Sequence, residues 1–171
     1  MNVSTFLPSE NWVKAPAQRQ SILVAEDDAL IRQINLETLA AAGYDVDGAE
    51  DGEAAWDLLQ MKSYDLLVTD NQMPKVSGVE LIRKIRDARM RIPVIMATGY
   101  MPAEEFEWHP WVQPFTIMLK PYCHEELRGT VNAVLYANAG QRAVGSLSSI
   151  FAPVNQLKHL KPPTASIPLP C

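Results

Sequence analysis

Six polar residues could do chemistry together, because each lies at or just after the end of a short apolar, β-prone run. They are Glu26, Asp27, Asp28, Asp70, Thr98 and Lys120. Ligands of an open parallel sheet bind at the carboxyl ends of its strands. If the apolar runs are such strands, these side chains meet at one edge. The sequence therefore predicts a group of carboxylates facing one hydroxyl and one amine.

This combination of side chains suits phosphoryl chemistry assisted by a metal ion. Carboxylates crowded at one edge raise the cost of ionising one another, so they need a cation. Mg²⁺ fits such a site, because it needs few carboxylates and keeps room for water and phosphate oxygens. A lysine and a hydroxyl opposite the metal can neutralise the other oxygens of a phosphoryl group. The sequence has no glycine-rich phosphate loop, so a nucleotide is not indicated.

The apolar runs have the length and composition of buried parallel strands. The predicted strands are Ser21–Ala25, Tyr44–Ala49, Tyr64–Thr69, Ile92–Ala97 and Phe115–Leu119. Segments with helical spacing separate them, which implies βαβ units with right-handed crossovers. We therefore expect an α/β fold, in which a doubly wound five-stranded parallel sheet carries helices on both faces.

Apolar residues three and four positions apart predict the inward faces of the helices. These residues are Leu30, Ile31, Ile34 and Leu39 in the first helix, Leu81, Ile82 and Ile85 in the third, and Leu127, Val131, Val134 and Leu135 in the last, which spans His124–Asn138. Between Tyr100 and Pro114, three prolines interrupt the chain. We therefore expect the fourth helical segment to be irregular, with a short helix near Ala103–Glu107.

The flanks of this α/β region differ from it in composition. Residues 1–20 are predicted to be a flexible arm, residues 21–139 the folded domain, and residues 140–171 a tail with five prolines in its last 21 positions. No stretch is apolar enough to span a bilayer. The only cysteines, Cys123 and Cys171, do not form a disulfide framework, which favours the cytoplasm.

The charge is unevenly distributed along the chain. Residues 21–126 hold 19 of the 20 acidic residues and 9 of the 15 basic ones, which gives this region a net charge of −10. An acidic domain is a poor partner for nucleic acid. We therefore expect no nucleic-acid binding. Because no stretch is long and apolar enough to span a bilayer, we also expect no membrane insertion.

Four segments resemble the receiver domain of two-component response regulators, in the same order and at similar spacing. They are ILVAEDD (22–28), LLVTDNQMPKVSG (66–78), VIMATG (94–99) and IMLKPY (117–122). The resemblance covers about residues 20–139 and implies a stand-alone, single-domain regulator. It also implies a flavodoxin-like fold with strand order 2-1-3-4-5.

The resemblance implies a Mg²⁺ site built from the acidic residues. Asp27 would bind the ion directly, and Glu26 would bind it mainly through water. Asp70 would supply a further oxygen, and Gln72 would supply its backbone carbonyl. By the family pattern, Asp28 points away from the metal.

The resemblance also implies that Asp70 accepts a phosphoryl group from the phosphohistidine of a histidine kinase or phosphotransfer protein. Lys120 would pair first with Asp70 and then with the phosphoryl group, and Thr98 would hydrogen-bond a phosphoryl oxygen. The family usually has an aromatic switch residue three positions before the lysine. Ile117 occupies that place, so Thr98 and Ile117 are the predicted switch positions, without a ring that could swing.

The predicted function is that of a phosphorelay response regulator that switches an unidentified output protein, with a homodimer left open. Such a protein phosphorylates and dephosphorylates itself rather than acting as a turnover enzyme. An alternative is a pseudo-receiver, an interaction module without phosphorylation, which Ile117 and the irregular segment favour. A phosphohydrolase would need a second Asp where Gln72 stands. No helix-turn-helix pattern follows Asn138, which disfavours a DNA-binding regulator.

Overall fold

The computed structural model describes residues 19–99 and 116–145. Within these ranges the elements are β1 (Ser21–Ala25), α1 (Ala29–Ala41), β2 (Asp45–Ala49), α2 (Gly52–Met61), β3 (Leu66–Thr69), α3 (Gly78–Asp87), β4 (Val94–Thr98), β5 (Thr116–Leu119) and α4 (His124–Gly145). Residues 1–18 of the predicted flexible arm, the segment 100–114 that was predicted to be irregular, and most of the predicted tail lie outside the described residues. Helix α4 continues past its predicted end at Asn138 to Gly145, and so crosses the predicted domain boundary at residue 139.

The five strands in the described ranges form one parallel sheet in the order β2-β1-β3-β4-β5, which confirms the predicted topology. The register aligns the carboxyl ends of the strands. Ala25 of β1 pairs with Thr69 of β3, and Thr98 of β4 pairs with Leu119 of β5. The residues that follow these ends therefore lie along one edge of the sheet.

Helices cover both faces of the sheet, as expected for a doubly wound fold. Side chains alternate along each strand, so Ile22 and Val24 pack on the face of α1 and α4, while Leu23 and Ala25 pack on the face of α2 and α3. The predicted inward residues of α3 and α4 are buried, which confirms those two faces. No helix in the described ranges is both long enough and apolar enough to cross a membrane.

The predicted inward face of α1 is wrong in part. Leu30 is 70% exposed and Ile34 is 36% exposed, whereas Asn35 and Leu39 are buried. Residues four apart lie on one line of a helix, so α1 meets the sheet along the line through Asn35 and Leu39. A buried amide is tolerated there because the Nδ2 of Asn35 donates a hydrogen bond to the hydroxyl of Tyr122 at 3.1 Å.

Candidate functional site

Four charged residues form what we call the carboxyl-edge cluster: Glu26, Asp27, Asp70 and Lys120. The sheet positions three of them through its own hydrogen bonds, one residue beyond the strand ends. The amide of Glu26 donates to Ala49 at 3.1 Å, that of Asp70 to Ala25 at 2.9 Å, and that of Lys120 to Thr98 at 2.9 Å. The ends of the strands thus bring together residues that are far apart in the sequence.

Lys120 lies between two buried carboxylates of the cluster. Its Nζ is 2.8 Å from Oδ2 of Asp70 and 3.0 and 2.8 Å from the two oxygens of Glu26. Asp27 is exposed beside them, and one oxygen each from Glu26, Asp27 and Asp70 lie within 4.8 Å of one another. The cluster therefore holds three carboxylates and a single ammonium group, with oxygens spaced closely enough to share a metal ion.

Burial and the contacts with Lys120 act in opposite directions on the pKa values of this cluster. It raises the pKa of the Glu26 carboxyl above its ordinary value, and the contact with Lys120 offsets this effect only in part. Burial alone would lower the pKa of the Lys120 ammonium, but its hydrogen bonds to Asp70 and Glu26 outweigh that effect and raise the pKa. Lys120 is therefore protonated at neutral pH, and the carboxylates remain incompletely compensated.

The loop after β3 orients Asp70. The amides of Asn71 and Gln72 donate to Oδ1 of Asp70 at 2.6 and 3.2 Å. At the far end of the loop, Gly78 packs directly on Asp70, since a Cβ at Gly78 would lie 2.3 Å from the Asp70 carbonyl oxygen. One carboxylate oxygen of Asp70 thus faces two amides, and the other faces Lys120.

The segment that carries Glu26 and Asp27 is held by α1. Nη1 of Arg32 donates to the carbonyl oxygens of Glu26 at 2.6 Å and of Asp27 at 3.2 Å. Asp28 caps the helix, because its Oδ1 accepts hydrogen bonds from the amides of Leu30 and Ile31, and these bonds lower the pKa of its carboxyl. Asp28 therefore belongs to the helix terminus rather than to the carboxyl-edge cluster.

Comparison with a known family identifies the chain that carries this cluster. A family model described as "Response regulator receiver domain" matches residues 22–132. The chain belongs to the receiver domain family of response regulators. The resemblance found in the sequence is thereby confirmed, and the receiver is a domain of two-component systems.

The segments that match this receiver are parts of longer proteins. The sensor protein EvgS of Escherichia coli O157:H7 is 41% identical over 90 residues, which are 53% of this chain and 8% of that protein. The transcriptional regulatory protein RprY of Bacteroides fragilis (strain YCH46) is 31% identical over 125 residues, covering 73% of this chain and 53% of the relative. The receiver thus spans a small part of the sensor and about half of the regulator.

Solved structures support the receiver fold. The receiver domain of the Francisella response regulator 1452 has a TM-score of 0.64 and 28% identity, covering 70% of this chain and 99% of that one. The chemotaxis protein CheY4 of Vibrio cholerae has a TM-score of 0.63 and 29% identity, covering 68% of this chain and 98% of that one.

The two predicted switch positions of the receiver lie on adjacent strands. Thr98 is fully buried at the end of β4, and its carbonyl accepts the amide of Lys120. Ile117 is half-buried on β5, pairs with Met96 and packs against the core between the sheet and α2 and α3. Thr98 therefore lies beside the cluster, while the half-buried side chain of Ile117 packs against the core.

Sequence reasoning missed several residues that position the site. No role was predicted for Arg32, yet it holds the backbone of Glu26 and Asp27. No role was predicted for Gly78, yet it allows the loop to close on Asp70. An arginine one turn into a helix that follows an acidic strand end is the signal that could have revealed the first contact.

Proposed function

We propose that this receiver takes a phosphoryl group onto Asp70 in a phosphorelay and then switches an output protein. The carboxyl-edge cluster is the observation that carries the proposal. It combines a buried carboxylate, a lysine 2.8 Å away and two further acidic residues within reach of the same ion. Phosphoryl transfer requires a nucleophile together with positive charge, here from a lysine and a metal ion, that neutralises the phosphoryl oxygens.

Glu26, Asp27 and Asp70 fit a Mg²⁺ ion by their chemistry. Their carboxylate oxygens are hard ligands. The three carboxylates carry more negative charge than the single positive charge of Lys120 can neutralise. We propose that Asp27 binds the ion directly, Glu26 binds mainly through water, and the backbone carbonyl of Gln72 completes the protein ligands. When bound, Mg²⁺ supplies the positive charge that lets a phosphorylated donor approach these carboxylates.

The proposed step is a transfer between two residues. A carboxylate oxygen of Asp70 attacks the phosphorus atom of a phosphohistidine, so that an O–P bond forms while the N–P bond breaks. The histidine nitrogen keeps the electron pair of the broken bond, and its imidazole takes up a proton. Lys120 neutralises the transferred group, and Thr98 donates its hydroxyl hydrogen to a phosphoryl oxygen.

The donor in this proposal is a histidine kinase or a phosphotransfer protein. Leu30 and Ile34 are exposed on α1, the helix that directly follows the acidic segment, so this helix presents apolar surface to solvent. Such a surface supports docking of a protein donor rather than of a small molecule alone. The proposal does not identify the output protein, and it leaves open whether the receiver forms a homodimer. We place the reaction in the cytoplasm and regard the receiver as a phosphoacceptor rather than a turnover enzyme.

A pseudo-receiver is the second candidate, and Ile117 favours it. This residue is β-branched, stiff at χ1 and has no ring, so it cannot repeat the ring swing of the family's usual aromatic residue. A module of this kind would bind partners without taking up phosphate. The intact carboxyl-edge cluster supports the first proposal over this one.

Intact mass spectrometry distinguishes the two candidates. After incubation with Mg²⁺ and acetyl phosphate, the receiver is expected to gain the mass of one phosphoryl group. The gain should disappear with EDTA and in the Asp70→Asn variant. A receiver that gains no mass with Mg²⁺ would support the pseudo-receiver, and a full adduct on Asp70→Asn would contradict the assignment of the acceptor.

A further inference from the structure

The loop between β3 and α3 shapes the site around Asp70, and a strained turn lies within it. The φ angle of Lys75 is 63°, and the amide of Val76 donates to the carbonyl of Pro74 at 2.7 Å. A three-residue turn with a positive φ at a non-glycine centre is rare and strained. Strained backbone persists only where surrounding contacts hold it.

The N-terminus of α2 supplies contacts of this kind. Gly52 packs against the turn so closely that a Cβ on it would lie 2.1 Å from the carbonyl oxygen of Val76. The carboxylate of Asp51 is only 3% exposed, and its Oδ2 lies 2.6 Å from Nζ of Lys75. Its other oxygen, Oδ1, accepts the amide of Ala54 at 2.8 Å, which fixes the direction of the carboxylate.

These contacts join the strained turn to a helix that carries none of the carboxyl-edge cluster. On the other side of the turn, the same loop presents the amides of Asn71 and Gln72 to Asp70. It also carries the Gln72 carbonyl that we have proposed as a Mg²⁺ ligand. Only Met73 and Pro74 separate Lys75 from Gln72, so a displacement of Lys75 would reach the proposed metal site through a short stretch of backbone.

We infer that the Asp51–Lys75 ion pair is a positioning brace, which holds the β3–α3 loop in the shape that binds Mg²⁺. This inference rests on the proposed function, because it concerns the affinity of the same site. Lys75 is a positioning residue, since it acts through the loop and not through contact with the ion.

The variant Lys75→Met separates positioning from simple electrostatics. Removing a cation near a group of carboxylates would by itself strengthen Mg²⁺ binding. Loss of the brace predicts the opposite, a dissociation constant for Mg²⁺ that is about tenfold higher, as is typical when a partner outside the ligand set is removed. Isothermal titration calorimetry with MgCl₂ measures the difference directly.

Lys62→Met is the matched control. Lys75 also lies 3.7 Å from Oε2 of Glu53, and Lys62 likewise contacts two carboxylates, those of Asp45 and Asp47, but at the other edge of the sheet. This variant should bind Mg²⁺ as the wild type does, and Lys75→Arg should restore most of the affinity because it keeps the charge. Asp51→Asn, which keeps an oxygen to cap α2, should weaken binding to a similar extent as Lys75→Met.

A kinetic readout distinguishes this inference from the proposed function. With acetyl phosphate as donor, Lys75→Met should need about tenfold more Mg²⁺ for half-maximal labelling and should recover to within about twofold of the wild-type rate at saturating Mg²⁺.

If Lys75→Met binds Mg²⁺ as tightly as Lys62→Met or the wild type, the brace is overturned even though the receiver is phosphorylated. If the wild type binds Mg²⁺ but takes up no phosphate, the proposed function fails and the calorimetric comparison still tests the brace. A wild type that binds no Mg²⁺ overturns both.

Discussion

Each edge of the sheet carries a lysine between two carboxylates, but their surroundings differ. At the carboxyl edge Lys120 lies between Glu26 and Asp70, and at the amino edge Lys62 lies between Asp45 and Asp47. The shortest distances are similar, 2.8 Å from Nζ of Lys120 to each carboxylate, and 3.1 and 2.9 Å from Nζ of Lys62 to Asp45 and Asp47. We call the second group, together with Tyr64, the amino-edge cluster.

Burial and charge balance separate the two clusters. The carboxylates at the amino edge are 57% and 39% exposed, whereas those at the carboxyl edge are 3% and 10% exposed. The amino-edge cluster is also satisfied internally, because Tyr64 donates its hydroxyl to Asp47 at 2.7 Å. At the carboxyl edge, Asp27 adds a third carboxylate instead of a donor. The same pairing of residues is therefore structural where it is solvated, and poised to bind a cation where it is buried with excess negative charge.

The largest expected difference between the clusters concerns the rate of phosphorylation. Lys120→Met should lower the rate of labelling by acetyl phosphate about 100-fold, because one of the groups that neutralise the transferred oxygens is lost. Lys62→Met should label at the wild-type rate. Time-resolved intact mass spectrometry gives both rates, and equal losses in the two variants would show that the lysines affect folding rather than chemistry.

Substitution of two adjacent acidic residues, Asp27 and Asp28, should affect Mg²⁺ affinity differently. Asp27→Asn removes a proposed ligand and should raise the dissociation constant for Mg²⁺ about tenfold or more. Asp28→Asn removes a charge of equal size from a residue that caps α1 and should leave affinity nearly unchanged. Calorimetric titration of both variants checks this result, and equal weakening would mean that charge alone, rather than ligation, determines binding.

Stability without metal should fall with rising pH because of Glu26. Burial raises the pKa of its folded-state carboxyl above 4.5, so just above that pH the folded chain binds more protons than the unfolded chain. The free energy of unfolding therefore decreases as pH rises through the folded-state pKa. Glu26→Gln should be more stable than the wild type at neutral pH in EDTA, as measured by urea denaturation. A Glu26→Gln variant that is less stable under these conditions would show that the contact with Lys120 outweighs burial.

The smallest expected effect has the opposite sign and comes from the amino edge. Hydrogen bonds from Lys62 and Tyr64 lower the pKa of the Asp47 carboxyl below 3.8. Its contribution to stability is thus present above that pH and is lost as the pH falls through the folded-state pKa. Asp47→Asn should be slightly less stable than the wild type at pH 7, and the two should converge in acid. A constant difference across this range would argue against ionisation as the cause.

The sequence predicted the parts of the molecule that depend on periodicity and strand ends. The apolar runs before Glu26 and Asp70 identified the strands, and parallel topology then required these residues to share an edge. The prediction of the inward face of α1 was wrong in part, because hydrophobic spacing alone does not reveal that Asn35 has a hydrogen-bond partner in Tyr122. Only the folded chain reveals that hydrogen bond, since the two residues lie 87 positions apart.

The supporting contacts of the site were also beyond sequence reasoning. Lys75 lies in a loop whose polar residues predict only a turn, and its contact with Asp51 depends on how α2 packs against that loop. Arg32 has the spacing of an exposed helix residue, and only the end of β1 brings two carbonyl groups within its reach. Side chains that act on the backbone of a distant segment leave no local pattern in the sequence.

The most direct test of the central claim is to locate the phosphoryl group chemically. Borohydride reduces an aspartyl phosphate to homoserine, so treatment of the labelled receiver followed by peptide mass spectrometry identifies the acceptor. We expect homoserine at position 70, formed only when Mg²⁺ and acetyl phosphate are both supplied. Reduction at Asp27, at an aspartate of the amino-edge cluster, or at no residue of a protein that has gained the phosphoryl mass would contradict the assignment of Asp70.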